Sequence, residues 1–114
     1  MNFRNEKHKT LFQSTAKGMD TADKALMCQL YLLTADRKLW QLSKQWIDKN
    51  RIPLQHIHLR ASGEESYILL CCAKDLTLGT KHLSIDDLAD REVITPQMFE
   101  ILCNACLLYT SDAA

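Results

Sequence analysis

Apolar positions along this chain recur at helical rather than alternating spacing and fall into a series of short segments. Asn5 to Lys17 reads as a first helix, with Leu11 and Phe12 apolar and Gly18 in the stop position. Asp20 is placed to cap a second, running to about Leu33. Its stretch ALMCQLYLL is apolar almost all round, with Gln29 the only break, and a helix of that kind belongs at the centre of a core. TADRKLWQLSKQWIDKN reads as a third helix starting near Thr34 or Asp36. At about 100° per residue, Leu39, Leu42, Ser43, Trp46 and Ile47 share one arc, with Trp40 on its flank. That register puts Leu39 and Trp46 in the core and sets the expected cost of Trp46→Ala at about 3–5 kcal/mol.

Pro53 forbids a straight continuation of the third helix. LQHIHLRA alternates Ile57 and Leu59 against His56 and His58, which fits either a short strand-like segment or a single turn. In SGEESYILLCCAKDLTLG, the apolar run from Tyr67 to Ala73 has the length of a buried strand. Yet Ser62 and Glu65 have capping-box spacing, Gly79 stands where a helix ends, and only Ile68 in the run is β-branched, so helix is the expectation. A short helix over IDDLA follows, capped by Ser84. A last one opens at TPQMFEIL, with Thr95 as cap, Pro96 first, and Met98, Phe99 and Leu102 turned inward. The fold class expected is mainly α: a compact single-domain bundle of about five to six helices, with room for one minimal strand pair near residues 54–59.

Composition changes this picture little. A chain of 114 residues with 46% hydrophobic and 25% charged positions is long enough for one globular core. No apolar run reaches membrane-span length, and the polar start MNFRNEKHKT is unlike a secretory signal, so a cytoplasmic protein with no membrane partner is expected. Cys28, Cys71, Cys72, Cys103 and Cys106 show no framework spacing and are expected as reduced thiols. Charge matters more. Residues 1–60 carry eleven Lys/Arg against five Asp/Glu, whereas residues 61–114 carry three against nine. The zero net charge therefore conceals a basic first half and an acidic second half.

No phosphate loop, dinucleotide fingerprint, nucleophile elbow, HExxH or CxxC occurs. His56 and His58, with His82 or Cys71 as a third ligand, could in principle hold zinc, but one histidine dyad without a second ligand pair is weak, and surface or helix-end histidines are the plainer explanation. Asp86, Asp87 and Asp90 suit a helix start as well as they suit a cation. The stretch LSIDDLADREVITPQMFEIL scans as a helix-turn-helix. Between residues 81 and 102, however, only Lys81 and Arg91 face five acidic residues, and its second helix has no cation near its start. Such a face would repel nucleic acid. The better surface is on the third helix, where Arg37, Lys44 and Arg51 repeat every seven residues beside Trp40 and Ile47. Arg37, Trp40, Lys44 and Arg51 form the candidate partner surface. The resulting expectation is a non-enzymatic accessory protein, with no cofactor or metal, acting through contacts with a protein partner or by self-association. The alternative is a weak nucleic-acid-binding module using the same basic stripe.

MNFRNEKHKTLFQ, LYLLTADRKLW and AKDLTLGTKHLSIDDLAD together resemble a family of small proteins from intestinal Gram-positive bacteria, often encoded near conjugative or phage-like elements. The resemblance covers most of residues 1–105 and implies no activity. Matching positions such as Leu32, Leu33, Asp36, Trp40, Lys74, Asp75, Gly79 and Asp86 bring no roles with them. The final CLLYTSDAA resembles a translated sequencing adapter of the kind found at the ends of metagenomic genes. It implies one domain over residues 1–105, truncated within its last helix, and a non-native tail at 106–114. The helix is expected to run on through Leu107 and Leu108 and then fray.

Overall fold

The most apolar stretch forms the axis around which the chain is arranged. In the computed structural model, which describes residues 2–59 and 64–110, ALMCQLYLL lies within a helix from Lys24 to Thr34. The α-helices in chain order are α1 (Glu6–Ala16), α2 (Lys24–Thr34), α3 (Arg37–Ser43), α4 (Glu64–Leu78), α5 (Ile85–Ala89) and α6 (Pro96–Thr110). Helix α2 packs against α1, α3, α4 and α6, and Leu30, Tyr31, Leu32 and Leu33 expose nothing. Helix accounts for 67% of the described residues and no strand occurs among them, so the fold is a mainly α single domain.

Side chains close the helix ends where the backbone has no partner of its own. Asn5, Asp36 and Ser84 accept N–H bonds from His8, Leu39 and Asp87 at the starts of α1, α3 and α5. Asp87 returns the bond to the Ser84 N–H and completes a capping box. The Thr95 hydroxyl accepts from Met98 ahead of α6, and Gly79 ends α4 with φ at 75°, a conformation that suits glycine. The cap of α2 is Asp23, not Asp20; the Asp20 carboxylate instead holds the Ala22 N–H in a turn. Ser62, expected to cap α4, lies outside the described residues.

The third helix is shorter than its periodicity implies. It ends at Ser43, a fully buried residue whose hydroxyl donates to the Leu39 carbonyl at 2.6 Å and competes with the backbone ladder. A single 3-10 turn over Lys44–Trp46 follows. The chain then reverses through Lys49, at φ 47°, with Asp48 and Arg51 exchanging backbone bonds of 3.0 and 2.8 Å. The change of pitch carries Trp46 out of the Leu39 arc: Leu39 is fully buried, but Trp46 is 40% exposed and sets its ring edge against His56. Near residues 54–59 the structure takes the single turn and not the strand pair. Residues Leu54–His56 form a 3-10 turn, which brings Leu54 and Ile57 onto one side, both buried, instead of alternating them. In α6 the inward set is Met98, Ile101, Leu102 and Ala105, while Phe99 flanks it and stays 42% exposed. The helix runs as far as Thr110, with Leu108 and Tyr109 half-buried against the core and Cys106 and Leu107 exposed.

The chain before α1 is strapped onto this core. Phe3, His8, Phe12 and Tyr31 form one aromatic cluster with ring centroids 4.7–6.2 Å apart. The Tyr31 hydroxyl donates to the Asn2 carbonyl at 2.6 Å, and Arg4 reaches both the Ala35 carbonyl and the two carboxylate oxygens of Glu65 on α4. His8 is buried. Its Nδ1 accepts the Arg4 N–H at 2.9 Å, so Nε2 carries the proton and donates to the Tyr31 carbonyl at 2.8 Å. Burial pushes the His8 pKa below the usual 6.5; the Tyr31 carbonyl opposes that shift and the Arg4 charge adds to it. Below about pH 6.5 the unfolded chain therefore takes up a proton more readily than the folded one. Stability is expected to fall as pH drops from there toward the lowered folded value, and His8→Gln is expected to flatten that slope. Thermal melts of parent and variant across the interval check this.

Candidate partner-binding surface

The four residues singled out from the third helix do not share one helix face. Arg37 opens α3 and Lys44 stands on the following 3-10 turn, both exposed. Trp40 is half-buried against the core. Arg51 lies beyond the chain reversal, paired with Asp48 through backbone bonds, so the seven-residue repeat has no continuous helix to align it. Arg37 instead borders a polar depression of about 220 Å³ with Arg4, Lys7 and Asp36. Arg4 is engaged there by Glu65, and Asp36 by Leu39 and Ser66.

The thiols and imidazoles are equally dispersed. Cys28 and Cys72 are buried between helices; burial pushes the Cys28 thiol up to about 12 and raises Cys72 further. Burial also raises Cys71, which sits one helical turn from Tyr67. His56 packs against Trp46. His82 is held at the other end of the sequence by Asp75, whose carboxylate accepts the Thr80 hydroxyl and the N–H groups of His82 and Leu83 at 2.6–2.9 Å. Burial alone would raise the Asp75 carboxyl; these bonds outweigh it and hold it below the usual carboxylate range. The His82 Nδ1 lies 3.1 Å from the same carboxylate. An imidazole oriented by an aspartate is half of an acid–base pair; among the described residues, the cavity beside it is lined by no serine, threonine or cysteine. Asp75 acts as the clasp of the α4–α5 loop. Among the described residues no group of three potential ligands could hold a metal ion.

A surface that the sequence did not single out surrounds α5. Between α4 and α5, a cavity of about 230 Å³ is lined by Tyr67, Ile68, Leu83 and Val93 together with Glu64, His82 and Asp87. Between α5 and α6, a second of about 260 Å³ is lined by Leu88, Ile94, Pro96 and Phe99, with Arg91 at its edge. Asp87 borders one and Leu88 the other, as do Val93 and Ile94, so the cavities stand back to back across α5 and its following turn. Tyr67 and Val93 of the first and Phe99 of the second are exposed, and Ile85, at the start of α5, is exposed by 83%. These side chains were hidden in the sequence because each falls at a spacing compatible with burial. The sequence marks the stretch by its helix-turn-helix pattern and by the density of carboxylates, Asp86, Asp87, Asp90 and Glu92, and neither feature points to an apolar face. Compared with known proteins, the chain matches no family model, no curated protein and no solved structure.

Proposed function

We propose that this protein is a non-catalytic accessory protein that docks a protein segment on the face built by α5 and the turn into α6. The observation that carries this reading is the pair of apolar cavities across α5, with Tyr67, Val93 and Phe99 exposed in their linings and Ile85 exposed on α5. Contiguous exposed apolar surface with a polar rim is characteristic of interaction sites, whereas isolated exposed hydrophobics are not. Each cavity has the size of a single anchoring side chain. The charge of the rim speaks against a polyanion and for a protein partner.

Panning a displayed random-peptide library against the intact chain tests the reading. Enriched peptides are expected, and their binding should weaken by about tenfold or more in Phe99→Ser, the scale of an interface anchor. Phe99 is 42% exposed, so the variant should keep the parent melting temperature within a few degrees. No enrichment, or peptides indifferent to both Phe99→Ser and Tyr67→Ser, would remove the proposal.

A further inference from the structure

We infer that the segment docked on the α5 face is the Trp46 knob of a second copy of this chain, giving head-to-tail association; the inference rests on the docking reading above. Among the described residues, the large hydrophobics that stay exposed divide unevenly. Tyr67, Leu78, Ile85, Val93, Phe99 and Leu107 lie in the acidic half, and Trp46 alone lies in the basic half. Trp46 stands where α3 gives way to the 3-10 turn and the chain reversal. Its neighbours in sequence are the exposed cations Lys44, Lys49 and Arg51, against one exposed carboxylate, Asp48. The ring is not idle packing material: it is 40% exposed and touches His56 edge-on.

The α5 face is the complement of that knob. It offers apolar cavities and an aromatic ring at Tyr67; Glu64 and Asp87 line the α4–α5 cavity and Arg91 lines the other, while Asp86, Asp90 and Glu92 are exposed on the same stretch of chain against one further exposed cation, Lys81. An indole anchored in an apolar cavity, with cations of the knob set against carboxylates of the rim, satisfies both shape and charge. The other basic surface, around Arg37 and Lys7, presents no exposed aromatic to fill a cavity. Knob and face are different patches of one molecule, so the contact is heterologous. Each added copy leaves one free knob and one free face, and association continues unless the geometry closes into a ring.

Sedimentation of the full chain over a concentration series, at low and high salt, tests this. The parent is expected to grow past a dimer with concentration and to shrink with added salt, because the charge contacts are exposed and screened. Trp46→Ser alone and Phe99→Ser alone should each remain monomeric. An equimolar mixture of the two should form a heterodimer that grows no further, since one variant keeps the face and the other the knob. Lys44→Glu with Arg51→Glu, at exposed positions that leave Trp46 in place, should also be monomeric with an unchanged melting temperature. Self-association that ignores these substitutions overturns the inference, as does a parent dimer that the mixture fails to restore. A parent that stays monomeric throughout overturns it too. If library peptides still bind that monomer and are lost in Phe99→Ser, the docking reading survives and only the second copy is excluded.

Discussion

Tyr31→Ala is expected to destabilise the protein by about 3–5 kcal/mol, the range for removing a large buried aromatic. Tyr31 exposes nothing, and its ring touches Phe3, His8 and Phe12. Truncation opens a cavity where α1, α2 and the preceding segment meet, and it releases the Asn2 carbonyl that the hydroxyl holds. Tyr31→Phe keeps the ring and loses only that bond, so its cost should be nearer about 1 kcal/mol. Chemical denaturation of both variants separates the two contributions. Equal losses would mean that the hydrogen bond, and not the aromatic packing, secures the N-terminal segment.

Leu39→Ala should cost about 2–5 kcal/mol, whereas Trp46→Ala should cost about 1 kcal/mol or less. The periodicity of the third helix assigns both residues to the core, with the heavier penalty at tryptophan. The structure reverses that order, because Leu39 is fully buried within α3 and Trp46 stands on the following turn, partly in solvent. Melting both variants under one condition decides it. A larger loss at Trp46 would require α3 to continue through Trp46.

How far the sequence could be read depends on which interactions decided each element. Helices α1, α5 and α6 were legible because local chemistry sets them: Asn5, Ser84 and Thr95 cap them where their side chains must. The interior position of α2 was legible because its apolar residues leave no solvent face. The end of α3 was not. Leu39, Ser43, Trp46 and Ile47 fit one arc only while the pitch is constant, and the buried Ser43 hydroxyl changes it at a position where a serine looks neutral. Asp20 and Asp23 are both competent caps, and the choice between them falls on the turn held by Ala22. The α5 face was invisible for a related reason. Phe99 sits beside the inward set of α6, and only the packing of Met98, Ile101 and Leu102 against the core shows on which side of the boundary it falls. The helical alignment of the basic stripe was lost with α3, since Arg51 depended on the same unbroken helix.

Gln29, the one polar interruption of α2, donates to the Thr77 hydroxyl of α4 at 2.8 Å, and the buried Ser66 of α4 donates to Asp36 at the start of α3. Greasy helix surfaces by themselves tolerate sliding, because one leucine replaces another when a helix moves by a turn of about 5.4 Å. These two bonds remove that freedom. A slipped α4 would leave the Gln29 amide and the Ser66 hydroxyl opposite side chains that cannot answer them, within a seam where an unanswered polar group costs about 1–3 kcal/mol. The leucines of α2 can therefore drift among similar residues over evolutionary time, while Gln29, Asp36, Ser66 and Thr77 act as index pins that hold a single alignment of the bundle.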